Sequence, residues 1–102
     1  MESVPQVQQV ADFLSQYAPS SLAAEWDNVG LLVGDGVESA PRIMTCLTIT
    51  PDSAAEAIDE GASLIVSHHP LPFRPLKQLT THTPAGTLLW RLIRAGVSIY
   101  SP

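Results

Sequence analysis

Short apolar segments alternate with helix start and stop signals in the second half of the sequence, and this order limits the possible folds most strongly. Three short, nearly continuous apolar runs predict strands: residues 42–49, 63–67 and 97–100. Between them lie two helix signals, each an N-cap threonine with a first-turn proline and a closing glycine: Thr50-Pro51 with Gly61, and Thr83-Pro84 with Gly96. Strands joined by crossover helices favour parallel pairing, so we predict an α/β fold with a small, mostly parallel or mixed sheet.

One helix and one strand are predicted in the first half. Ser3 and Gln6 form a capping-box pattern, and the apolar residues that follow recur at helical spacing, which predicts a helix over residues 4–17. Residues 29–33 form an apolar run closed by a glycine-rich turn, which predicts a strand. The chain, residues 1–102, is therefore predicted to be a single α/β segment.

Composition and charge argue against several classes of protein. The net charge is −5, and the sequence has only five lysines and arginines. It therefore lacks the clustered positive charge that is typical of a nucleic-acid-binding protein. No apolar run is long enough to span a membrane, and the N-terminus lacks a secretory signal pattern. We therefore expect a cytoplasmic protein with no membrane segment and no nucleic-acid partner.

Two adjacent histidines, His68 and His69, follow the apolar run 63–67 and precede Pro70. In parallel sheets, ligands bind beyond the carboxyl ends of the strands, which is where this pair is predicted to lie. Pro70 restricts the loop, so both rings can turn toward one cavity. Neutral imidazole is a common metal ligand, and adjacent rings suit two ions about 3.5–4 Å apart. Metal binding is the favoured interpretation; loop capping and metal-free acid–base catalysis are the alternatives.

Further ligand candidates are Glu25, Asp27, Asp35, Asp52 and His82. His82 lies in a polar loop, where a solvated histidine is the ordinary explanation. A carboxylate in the first turn of a helix is favoured by the helix dipole, and an aspartate between glycines is a common turn residue. Asp27 and Asn28, just before an apolar strand, are either loop residues or part of a binding pocket.

Three segments resemble one known family: "EWDNVGLLVGD" (25–35), "TPDSAAEAIDEGASLIVSHHPLPFRPLK" (50–77) and "GTLLWRLIRAGVSIYS" (86–101). They are similar to the start of the NGG-interacting factor three-like family, whose members are also called GTP cyclohydrolase 1 type 2 homologues. The resemblance implies that His68 and His69 are ligands of a dinuclear metal centre and that Asp27 is a pocket residue. It also implies an α/β fold and a homo-oligomer, a ring-shaped hexamer in the family.

Two departures from the family pattern affect these expectations. Thr48 stands where members often carry an aspartate, and the chain ends at Pro102, before the segments that supply further ligands in the family. We therefore expect the N-terminal portion of a longer protein, inactive by itself.

The resemblance implies a metal-dependent hydrolase that acts on a nucleotide or a related small molecule, although no glycine-rich phosphate-binding motif is present. The cofactor would be two divalent ions of zinc, iron, manganese, cobalt or nickel. The alternative is a non-catalytic metal-binding or protein-interaction module.

Overall fold

Residues 4–16 and 28–102, described by the computed structural model, form a mixed four-stranded sheet with helices against both faces. The elements, in chain order, are α1 (Val7–Ser15), β1 (Gly30–Val33), β2 (Ile43–Cys46), α2 (Pro51–Asp59), β3 (Leu64–Ser67), α3 (Pro84–Arg94) and β4 (Ser98–Ser101). The strand order is β1-β4-β3-β2. Strands β2, β3 and β4 are parallel, and β1 pairs antiparallel with β4. The predicted mixed α/β sheet is confirmed. Within the described ranges, no helix is long and apolar enough to cross a membrane.

Both crossover helices begin where the threonine-proline signals predict. The Ser53 N–H donates to Thr50 Oγ1 (3.1 Å) at the start of α2, and the Gly86 N–H donates to Thr83 Oγ1 (2.9 Å) at the start of α3. Each bond satisfies one of the amide groups that the first helical turn leaves without an intrahelical partner.

The same two helices end in matching glycine turns. Gly61 and Gly96 have positive φ angles of 70° and 74°, a conformation that costs glycine little because it has no β-carbon. In each turn the residue after the glycine donates back into the last helical turn, as in the 2.9 Å bond from the Val97 N–H to the Leu92 carbonyl. The chain then enters β3 or β4 at once, so these turns fix where the strands begin.

The sheet buries apolar side chains on both faces. The larger cluster of buried residues lies between the sheet and helices α2 and α3, and consists of Ile49, Ala54, Ala57, Ala62, Ile65, Leu88, Leu89, Leu92, Val97 and Ile99. The smaller cluster, on the side of α1, consists of Val7, Ala11, Ala40, Leu64 and Tyr100. Burial, with a smaller contribution from the negative charge of Asp12, raises the pKa of the Tyr100 phenol.

The predicted start of the first helix is wrong by one turn. Helix α1 begins at Val7, and Gln6 forms an isolated antiparallel bridge with Ser39. The Pro5 carbonyl accepts a 2.7 Å hydrogen bond from the Ala40 N–H. This pairing holds the chain before Val7 extended. Ser3, and Tyr17 at the predicted end of the helix, lie outside the described residues.

Candidate metal centre

The two histidines lie at the carboxyl end of β3, at the edge of the sheet predicted for a binding site. Both side chains are exposed to solvent and line a cleft of about 270 Å³. Ser101, at the end of β4, lines the same cleft, as does Asn28 just before β1. The site is therefore built from the ends of neighbouring strands, as expected for an α/β fold.

The rings of His68 and His69 lie close together even though side chains alternate along a strand. Their centroids are 5.1 Å apart, and the ring planes are tilted by 52°. Strand β3 ends at Ser67, so neither histidine belongs to the regular strand. The pair is held by its backbone, because the N–H groups of His68 and His69 donate to the carbonyls of Cys46 (3.1 Å) and Leu47 (2.9 Å).

Two buried serine hydroxyls hold the histidine carbonyls. Ser67 Oγ donates to the His69 carbonyl at 2.7 Å, and Ser101 Oγ donates to the His68 carbonyl at 3.3 Å. Both serines have 0% relative exposure. No role for these serines was predicted from the sequence; the available signal was a polar residue at the end of each of two apolar strands.

The side chain of Thr48 contacts the His69 ring. Thr48 Oγ1 lies 2.7 Å from His69 Nδ1. The other ring nitrogen, Nε2, does not take part in this hydrogen bond. The predicted strand 42–49 is wrong at its end, since β2 stops at Cys46 and Thr48 lies in the bend that leads to α2. The Thr48 carbonyl accepts from Ser53 Oγ at 3.2 Å, so this bend is hydrogen-bonded to the first turn of α2.

Asn28 joins the histidines in the cleft, and its Nδ2 donates to the Pro72 carbonyl at 2.7 Å. This bond ties the segment before β1 to the loop that follows the histidines. Asp27, the other predicted pocket residue, lies outside the described residues, as does Glu25.

The remaining ligand candidates lie elsewhere. Asp35 Oδ1 accepts from the Val37 N–H at 3.1 Å, so Asp35 closes the turn after β1. Asp52 is exposed in the first turn of α2, and His82 is exposed in the loop before α3. Among residues 4–16 and 28–102, no three His, Cys, Asp or Glu side chains form a group that could hold a metal ion.

The types of side chain in the cleft are suitable for a metal centre. Two solvent-exposed imidazoles share one cleft, and the Nδ1 of His69 has a hydrogen-bonding partner, as the second ring nitrogen of a metal-bound histidine usually does. A catalytic zinc ion usually has about three protein ligands, so the described residues supply only part of such a set.

Comparison with known proteins gives consistent matches over nearly the whole chain. The profile of the family described as Duf34/NIF3 (NGG1p interacting factor 3) matches residues 5–102. The protein named GTP cyclohydrolase 1 type 2 in Helicobacter pylori is 39% identical over 95 residues, which cover 93% of this chain and 38% of that protein. A GTP cyclohydrolase 1 type 2 homologue of Clostridium acetobutylicum is 36% identical over 95 residues, which cover 93% of this chain and 35% of that protein.

Among solved structures, a Bacillus cereus protein related to NIF3 has a TM-score of 0.88 and 30% identity, over 98% of this chain and 28% of that one. The chain therefore spans only part of the length of these relatives: 38% of the Helicobacter pylori protein, 35% of the Clostridium acetobutylicum protein and 28% of the Bacillus cereus protein.

Proposed function

The chain belongs to the Duf34/NIF3 (NGG1p interacting factor 3) family, and we propose that it supplies His68 and His69 as ligands of a dinuclear divalent-metal centre in a metal-dependent hydrolase. The observation that carries this proposal is the convergence of the two rings, 5.1 Å apart, on one cleft at the carboxyl edge of the sheet. Adjacent imidazoles held by their backbone can serve two neighbouring ions without rearrangement of the sheet.

The chain's own residues would have distinct tasks. His68 and His69 would bind the metal ions through a ring nitrogen, and the hydroxyls of Ser67 and Ser101 would hold the histidine backbone in place. Divalent ions bound there would supply Lewis-acid polarisation of a substrate oxygen. Further ligands would come from residues outside the described part of the chain, because the described part provides no group of three.

A nucleotide or a related small molecule is the substrate class that we propose. The support is the name GTP cyclohydrolase 1 type 2 given to the Helicobacter pylori relative, together with the lining of the cleft. Phe73 offers an aromatic ring to a base, and Asn28 offers an amide. The Arg74 guanidinium lies 5.9 Å from the centroid of the Phe73 ring and places a positive charge beside the cleft.

Metal titration of the purified chain tests the ligand assignment. We expect zinc or cobalt binding that is lost in His68→Ala and in His69→Ala. His82→Ala is the matched control, because His82 is an exposed histidine in a loop and does not line the cleft. Binding that survives both cleft substitutions, or that is lost equally in the control, would contradict the assignment.

A second candidate function is a non-catalytic metal-binding or protein-interaction module, favoured by the family description, which names an interaction with NGG1p. A turnover screen of the metal-loaded protein against nucleotides, phosphoesters and cyclic amides separates the two. Hydrolysis that requires His68 and His69 supports the enzyme, whereas metal binding without turnover of any of these classes supports the module. We also propose a homo-oligomer, which light scattering of the purified protein tests.

A further inference from the structure

We propose that Thr48 is a positioning residue that holds the His69 ring with its proton on Nδ1 and thereby leaves Nε2 as the nitrogen available to a metal ion. This inference rests on the proposed metal centre. It starts from the 2.7 Å contact between Thr48 Oγ1 and His69 Nδ1, which links the bend after β2 to the end of β3.

This hydrogen bond can have either direction, and only one of the two is compatible with metal binding at Nε2. A neutral imidazole has one nitrogen that donates and one that accepts, whereas a hydroxyl can do either. If Thr48 donated to Nδ1, the proton of the ring would be on Nε2, and that nitrogen could not bind a metal. If Nδ1 donates to Thr48, the Nε2 lone pair is free. Thr48 is exposed, so its own hydroxyl hydrogen can be donated to water at the same time.

Thr48 is itself held in place. Its carbonyl accepts from Ser53 Oγ at 3.2 Å, and the Ser53 N–H donates to Thr50 Oγ1 in the cap of α2. The neighbouring Leu47 carbonyl accepts from the His69 N–H at 2.9 Å. The segment 47–48 therefore contacts both the backbone and the ring of His69, which restricts the rotation of the ring as well as its tautomer.

His68 provides an internal comparison. Within the described residues, its ring makes no hydrogen bond, and its close ring neighbour is His69. The positioning by Thr48 should therefore affect one imidazole of the pair and leave the other with the tautomer mixture of an ordinary solvent-exposed histidine.

The test combines nitrogen-15 NMR of the imidazole rings with metal titration. Spectra of the metal-free chain at alkaline pH, where ordinary imidazoles are neutral, report the tautomer of each histidine. We expect the Nδ1–H form to dominate at His69 in the wild-type chain and in Thr48→Ser, which keeps the hydroxyl. In Thr48→Val this preference should disappear, and zinc affinity should fall by about 10–100-fold, the usual effect of removing a partner of a metal-bound histidine.

Thr45→Val is the matched control. Thr45 lies on β2 and lines the groove beside α1 with Val10 and Leu14, away from the histidines. It should change neither the tautomer of His69 nor the affinity. Because Thr48 is exposed, Thr48→Val is expected to fold, and Thr48→Ala provides a second variant without the hydroxyl.

The two readouts separate this inference from the proposed function. An Nδ1–H preference that is absent in the wild type, or unchanged in Thr48→Val and Thr48→Ala, overturns the positioning role whether or not metal binds. A wild-type chain that binds no metal contradicts the metal centre, while the NMR spectra still decide whether Thr48 sets the tautomer. Tautomer loss together with unchanged metal affinity also overturns the proposal, because the positioning would then have no effect on the metal.

Discussion

Replacing Ser67 with alanine tests whether the buried hydroxyls hold the histidine loop. Ser67 is fully buried, and its Oγ makes one short hydrogen bond to the His69 carbonyl (2.7 Å) and a longer one to the Leu47 carbonyl (3.4 Å). The Ser67 hydroxyl has one hydrogen, which the two carbonyls share, and a hydrogen bond contributes about 0.5–1.5 kcal/mol net. We therefore expect Ser67→Ala to lower the free energy of unfolding by about 0.5–1.5 kcal/mol.

Urea denaturation followed by circular dichroism measures this change, and a thermal scan should show a fall in Tm of about 4–8 °C for each kcal/mol in a domain of this size. Ser98→Ala is the matched control, because Ser98 is a buried serine in β4 whose hydroxyl makes no hydrogen bond within the described residues. It should have a much smaller effect. Equal destabilisation by both substitutions would refute the role of the Ser67 hydroxyl.

Three further predictions concern the fold. Leu92 has 0% exposure in the larger core cluster, so Leu92→Ala should lower the free energy of unfolding, measured by urea denaturation, by about 2–5 kcal/mol. A smaller decrease than that caused by a substitution at an exposed residue would contradict the core assignment. Gly34→Ala should destabilise the chain more than Gly61→Ala, because both have positive φ but a β-carbon at Gly34 would overlap the Ser98 hydroxyl; equal Tm values would argue against that overlap. The raised pKa of Tyr100 means that its contribution to stability is complete below the unfolded pKa of about 10 and is lost as pH rises through the folded pKa. Tyr100→Phe should remove this alkaline loss, which stability measurements from pH 8 upward would check.

The sequence predicted those features whose causes lie within a few residues. Thr50 caps α2 through the amide of Ser53, and Gly61 ends that helix with a positive φ. Both signals act over one helical turn, so they can be recognised without the rest of the fold. The position of the histidine pair was predictable for the same reason, since it immediately follows an apolar run.

Features fixed by contacts distant in sequence were predicted wrongly or missed. The first helix begins late because the Pro5 carbonyl is occupied by the Ala40 N–H, which lies 35 residues further along the chain. The contact of Thr48 with His69 spans 21 residues, and the bond from Ser101 to the His68 carbonyl spans 33. These partners depend on the order of the strands in the sheet, which no local pattern contains.

The most direct test of a metal centre at the paired histidines is anomalous X-ray diffraction from crystals of the protein grown with zinc or cobalt. Such a centre predicts anomalous peaks in the cleft at about 2.0–2.1 Å from a ring nitrogen of each histidine, with Nε2 as the ligand atom of His69. Peaks located only away from His68 and His69, or no peak at saturating metal, would contradict it.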